Sequence, residues 1–315
     1  MRPASPQARG TIVLRTALRR YGHTAALVDG TLAPAGIRLE CVPAPILRTA
    51  MARMIRDHAF DLCEMSPTSY LVARSRGAPL VALPIPLYCQ FPLGLLVTPR
   101  AAPVSGAPAL GGRTIAARTW AQPTAVWLRG LLQTMYGVPL DALAWLLVAE
   151  DPVPDLPLPA NVRRVPGRTV EELLRAGAAH AAIGPSPDDP SLVPLLPDAV
   201  ERARAWYRQT NVVPINHLLV VREAVLDAYP GVAGALLIAF EQAKAAYLRA
   251  WRRDAGVADR HLADLIAVVG PADDPLPYGG AVTWAALTVL MEFMVAQGLL
   301  LHPLAREHVL APGAS

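Results

Sequence analysis

Short apolar runs alternate with longer stretches of helical periodicity along most of the chain, and this alternation restricts the fold more than any other feature. Strand candidates fall at residues 11–14, 36–42, 61–65, 81–84, 93–98, 114–117, 144–147, 181–183 and 217–221. Helix candidates fall at 46–57, 67–75, 123–136, 170–176, 198–209, 222–229, 231–252 and 281–297. Strands joined by helices of this length predict right-handed βαβ units, a mostly parallel sheet and an α/β class. Proline-bearing breaks at 99–112 and 185–197 divide the pattern. They predict a discontinuous first lobe of residues 1–98 and 214–315, with 99–213 inserted as a second lobe. A ligand then belongs in the cleft between the lobes, at the carboxyl ends of the strands.

Composition narrows the function. Hydrophobic residues make up 53% of the chain and charged residues 17%, so its 32 prolines read as stiff loops in a folded protein. The net charge of +4 is spread without a basic block, which argues against a nucleic-acid partner. Lys244 is the single lysine. A Schiff-base or pyridoxal-phosphate mechanism would have to rest on it, yet it sits in a helical stretch where a solvent-facing charge is expected. There is no Gly-Lys-Ser/Thr phosphate loop. Cys41, Cys63 and Cys89 form no CxxC pair and fit a reducing compartment. Residues 1–10 are polar and proline-rich, with no secretory signal, so a cytoplasmic location is expected. The apolar stretch 281–301 is interrupted by Glu292, Gln297 and Gly298 and reads as a buried helix, so no membrane partner is expected.

HExxH, GxSxG and GxGxxG spacings are all absent, and the seven histidines are scattered. No metal site and no cofactor are expected. What remains are polar groups at strand-to-helix junctions. Tyr21, His23 and Thr24 follow the opening strand and suit either an anionic ligand or a capping cluster. Glu64, Ser66, Thr68 and Ser69 end another strand, with Ser66-Pro67 as helix cap and first helical residue. Glu64 lies in an apolar run, where desolvation would raise its proton affinity and suit a general acid. Arg118, Thr119, Gln122 and Thr124 open the helix at 123, whose free N–H groups suit a carboxylate. Trp127 and Arg129 lie one turn further in. Asn216-His217 stands at the second crossover.

These residues resemble the 4,5-dihydroxyphthalate decarboxylase family. The likeness runs through Leu27-Val28-Asp29-Gly30-Thr31, the stretch 60–71, Gln122-Pro123-Thr124-Ala125-Val126-Trp127-Leu128-Arg129-Gly130, Gly167-Arg168-Thr169 and Pro214-Ile215-Asn216-His217. It continues through Ala239-Phe240-Glu241-Gln242-Ala243-Lys244 and Pro277-Tyr278-Gly279 to Gln297-Gly298-Leu299. The resemblance implies a two-lobed type II periplasmic-binding-protein-like fold with a ligand cleft between the lobes. Two motifs depart from it. Cys89-Gln90-Phe91-Pro92-Leu93 stands where the family carries an Arg-x-Phe-Arg-His run, and Ala281, Val282, Thr283 and Trp284 replace a Glu-x-Asn-Arg pattern.

The resulting expectation is a cofactor-independent lyase, a decarboxylase of a small hydroxylated aromatic or cyclic carboxylic acid with altered substrate. The catalytic candidates are Glu64, His217 and His23. The substrate-binding candidates are Tyr21, Thr24, Ser66, Ser69, Arg118, Gln122, Thr124, Asn216 and Tyr278. A dehydratase, resembling chorismate dehydratases on the same fold, and a solute-binding protein without catalysis are the alternatives. A homo-oligomer is compatible with either.

Overall fold

The computed structural model describes residues 11–185, 189–253 and 259–311. The polar opening segment and part of the break at 185–197 lie outside the described residues. The chain runs β1 (Ile12–Ala17), α1 (Ala25–Val28), β2 (Ile37–Cys41), α2 (Leu47–Asp57), β3 (Leu62–Met65), α3 (Pro67–Ser75), β4 (Leu80–Cys89), β5 (Leu96–Pro99) and β6 (Thr114–Ala117). It continues α4 (Pro123–Tyr136), β7 (Ala144–Leu147), β8 (Val162–Arg164), α5 (Val170–Arg175), β9 (Ala181–Ile183), β10 (Leu192–Pro194) and α6 (Ala199–Thr210). Last come β11 (Ile215–Arg222), α7 (Glu223–Ala228), α8 (Val232–Arg253), α9 (Arg260–Val269), α10 (Gly280–Ala296) and α11 (Arg306–Val309).

The helices whose ends match the sequence reading carry explicit stop and start signals. Ser66 caps α3 by accepting the Ser69 N–H at 3.2 Å, with Pro67 in its first turn. Pro123 opens α4, and Gly137, at φ 64°, closes it by donating to the carbonyls of Gln133 and Leu132.

The strands form two sheets, in the orders β2-β1-β3-β11-β4 and β10-β5-β9-β6-β7-β8. Both sheets are mostly parallel, as expected, but each contains one reversed strand. In the first, β11 runs antiparallel to β3 and β4. In the second, β5 runs antiparallel to β9 and β10. Both are the first strands laid down after the chain changes sheets. They start where the parallel strands finish, so they run back against them. β5 lies in the second sheet, although the sequence reading keeps residues up to 98 with the first lobe. Residues 93–95, expected as strand, form a 3₁₀ turn. The strands β8 and β10 have three residues each, too few for a period-two pattern.

Leu236 and Phe240 of α8 pack with Leu83 and Leu219 on one face of the first sheet. Leu173 and Leu174 of α5 cover the second. A continuous core through α2, α3, α4 and α10 joins the two sheets. Helices α4 and α10 approach closely at Gly130, where a Cβ would come within 2.2 Å of the Phe293 ring. Fully buried Arg129 fixes this contact, with Nε donating to Gln297 Oε1 at 2.7 Å and Nη2 to the Trp120 carbonyl at 2.6 Å.

Lys244 is not the solvent-facing charge expected. It is buried, and its Nζ donates to Asp274 at 2.7 Å and to the Leu276 carbonyl at 2.9 Å. The helix expected at 281–297 is α10, and among the described residues no helix is long and apolar enough to cross a membrane. On the outer edge of β4, which holds Pro84 and Pro86, the Ala311 N–H donates to the Ala82 carbonyl at 2.9 Å. The Gly279 N–H donates to the Pro84 carbonyl at 3.0 Å.

Candidate active site

A cleft of about 380 Å³ opens between the ends of the two sheets. At its floor, β3 and β11 bring Glu64 and His217 together. Glu64 pairs with Leu219 across the antiparallel ladder. His217 is therefore the diagonal neighbour of Glu64 on the same face. The β11–β4 register slips on both sides of His217, where Pro86 offers no N–H to the ladder. Such bulges turn a side chain out of the regular pleat. His217 lines the cleft, and its Nδ1 lies 2.7 Å from Glu64 Oε1.

Glu64 is completely buried. Tyr21 Oη donates to its Oε1 at 2.5 Å, and the Arg19 N–H donates to its Oε2 at 3.0 Å. Burial pushes the Glu64 carboxyl up, but the contacts with His217, Tyr21 and Arg19 outweigh it and hold the carboxyl below its usual range. The expectation of a raised proton affinity at Glu64 is thus corrected: desolvation acts as foreseen, and three hydrogen bonds to the charged form overcome it. An ionised Glu64 cannot serve as the proton donor, but it can hold His217 with Nδ1–H directed inward and Nε2 free for a ligand. Tyr21 is a fixed donor, since burial and the Glu64 charge push its phenol far up.

The opposite wall is the segment from Arg118 to Thr124. Half-buried Asp151 accepts the Trp120 and Ala121 N–H groups at 3.2 and 2.8 Å. Thr68 Oγ1 donates to the Ala121 carbonyl at 2.5 Å, and Asn216 Nδ2 to Thr124 Oγ1 at 2.8 Å, tying the two sides together. The starts of α3 and α4 both border the cleft through Ser66, Ser69 and Thr124. Their free N–H groups favour an anion. Arg19, Arg48 and Arg118 line the same space, and no carboxylate does so among the described residues. The cleft is therefore electropositive, with a carboxylate-held imidazole at its floor.

Of the residues singled out from sequence as site candidates, Ser66, Ser69, Arg118, Gln122, Thr124, Asn216 and His217 line this cleft, as does their neighbour Thr119. Glu64 and Tyr21 stand directly behind His217. The other three lie elsewhere. His23 is 5% exposed and stacks on Tyr21, with ring centroids 5.4 Å apart, beside a separate cavity of about 150 Å³. Burial lowers its pKa to about 4, so the ring is neutral and unsuited to an anion. Thr24 spends its hydroxyl locally, accepting the Tyr21 N–H at 2.8 Å and donating to the Arg19 carbonyl at 2.7 Å. These bonds close a local turn and do not cap α1, so the expected capping cluster is not found either. Tyr278 packs under Lys244, whose Nζ lies 4.2 Å from its ring centroid. Trp127 is packing, its Nε1 donating to the Ile215 carbonyl at 3.0 Å.

Sequence reasoning missed Arg19, Arg48, Tyr88 and Gln90, all of which line the cleft. Arg19 had a signal, as a basic residue just past a strand end. Tyr88 had none, because its place depends on pairing with His217 across β4 and β11. Of the two motif departures, Gln90 lines the cleft, whereas residues 281–284 open α10 away from it. No group of three or more His, Cys, Asp or Glu side chains suited to a metal ion occurs among the described residues.

No family model matches the chain. Over 253 residues, 75% of this chain and 76% of the relative, it is 29% identical to 4,5-dihydroxyphthalate decarboxylase from Comamonas testosteroni. In structure it is similar to the periplasmic aliphatic sulphonate binding protein SsuA from Escherichia coli. That likeness has a TM-score of 0.57 at 13% identity and covers 95% of this chain and 92% of that one. It is also similar to the desulfurization enzyme DszB, solved with biphenyl-2-sulfinic acid. Here the TM-score is 0.59 at 15% identity, over 96% of this chain and 97% of that one. At such identities the two structural likenesses concern the fold.

Proposed function

We propose, for a chain that is a divergent member of the 4,5-dihydroxyphthalate decarboxylase family, that it is a cofactor-independent decarboxylase of a small hydroxylated aromatic or cyclic acid. The observation that carries this reading is the Glu64–His217 pair at the floor of a cleft lined by three arginines and no carboxylate among the described residues. Arg19, Arg48 and Arg118, with the starts of α3 and α4, hold the substrate anion. Glu64 holds the His217 ring at Nδ1, with Nε2 towards the substrate. His217 delivers a proton from Nε2 to the carboxyl-bearing carbon, the bond to the carboxylate breaks, its electron pair returns to the ring and carbon dioxide leaves. Neutral His217 then regains a proton from water.

The reading takes the two sheets as lobes that meet at the cleft, with the change of lobe placed ahead of β5. It also takes the protein as cytoplasmic, in keeping with three unpaired cysteines. The test is a screen of hydroxylated aromatic and cyclic acids for carbon dioxide release, by the parent and by His217→Asn. Release by the parent and its loss in the variant is the expected result. A second reading, a binding protein without turnover, draws on the same arginines and on the binding-protein fold. It gains if an acid binds tightly and is never decomposed.

A further inference from the structure

The cleft has a side chamber of about 210 Å³. Gln90 and Leu95 border both spaces, so the two adjoin across these side chains. The chamber walls are largely apolar: Phe91, Leu93, Ala199, Val200, Ala203 and Val268, with Arg260, His261 and Asp264 at the α9 end. Phe91 is fixed edge-on against Trp206 and Tyr207, at centroid distances of 6.4 and 6.3 Å. Val200 remains 51% exposed, a large apolar side chain with nothing over it. The connecting segment Gln90-Phe91-Pro92-Leu93 carries no charge. An electropositive cleft thus adjoins a largely apolar chamber, and a wholly polar ligand would leave that chamber unused. Its volume equals about seven water-sized portions, room for one ring or a short alkyl chain.

We propose that the substrate is an acid bearing an apolar arm, with the carboxylate on the cleft arginines and the arm in the chamber beyond Gln90 and Leu95. The proposal rests on the reading of the cleft as an acid site and adds the substituent that selects among acids.

Calorimetric titration with benzoate and its 3- and 4-ethyl and butyl derivatives tests it without turnover. In one of the two substituted series, affinity should rise about fourfold for each methylene taken out of water. Gly94→Leu should abolish the rise while leaving benzoate affinity unchanged. Gly94 lines the chamber and not the cleft, its φ is not left-handed, and a Cβ there would meet only Ala199 Cβ, at 3.8 Å. Val200→Asp, at an exposed position, should weaken the rise in the same way. Equal affinity along both series, or a rise that survives in both variants, overturns the proposal and leaves the acid site standing. Failure of every acid, benzoate included, to bind overturns the acid site and the arm together.

Discussion

Two histidines lie on opposite sides of Tyr21 and meet opposite fates. His217 faces the cleft, keeps 17% of its side chain exposed and has an ionised carboxylate 2.7 Å from Nδ1. His23 is buried behind the Tyr21 ring, and its Nε2 has no hydrogen-bond partner. Burial that outweighs the nearby Glu64 and Asp259 charges makes a weak base, whereas access combined with direct contact to a buried carboxylate makes an acid–base group. The difference comes from partners supplied by distant strands rather than from the histidines' own neighbours in sequence.

The contrast can be broken most directly at His217. His217→Asn should lower turnover by about 10²–10⁴-fold with little change in KM, the range for loss of a general acid. Steady-state release of carbon dioxide measures it, and parental turnover in the variant would erase the distinction between the two sides.

His23 gives the converse test. Its pKa falls from 6.5 to about 4 in the fold, so the unfolded chain binds a proton that the folded chain refuses. Stability is therefore unaffected above pH 6.5 and is lost as pH falls towards 4, by about 3 kcal/mol in total. His23→Leu should flatten that part of the denaturant-unfolding profile. An unchanged slope would mean that the ring titrates normally. Glu64 acts in a lower window, because its depressed carboxyl contributes stability above its unfolded value that disappears only as pH falls through the folded one.

Arg118→Ala should raise KM about tenfold, since a charge-assisted hydrogen bond in a wet cleft is worth little more. Salt should reduce the difference. The smallest effect is expected at Lys244→Met, about 1 kcal/mol or less in chemical denaturation. Its partner Asp274 is 43% exposed, and partly solvated ion pairs contribute little.

Much of the fold was legible because local signals agreed with the final packing. Ser66-Pro67 and Pro123 marked helix starts, and β6, β7 and β9 kept their expected bounds. The reversed strands were not legible, since direction depends on which end of a sheet the chain enters. At the site, junction polarity found His217, Asn216 and the 118–124 wall. It also proposed His23, which faces α8 and α9, while the family resemblance supplied Tyr278, which faces α8 instead of the cleft. The ionisation of Glu64 was hidden for the same reason. Its apolar neighbours are adjacent in sequence, whereas Tyr21 and His217 lie 43 and 153 residues away.

The hydrogen bond from Ala311 to Ala82 bears on how the chain survives its own synthesis. A bare strand edge invites pairing with other chains, and β4 guards its edge with Pro84, Pro86 and the late segment reaching Ala311. Tyr70 Oη donates to the Val309 carbonyl at 2.5 Å and holds that segment in place. Until residues 309–311 have left the ribosome, only the prolines and the Gly279 contact at Pro84 protect β4 from intermolecular pairing. Truncation ahead of Val309 should therefore appear first as aggregation of nascent protein, before any change in the cleft is felt.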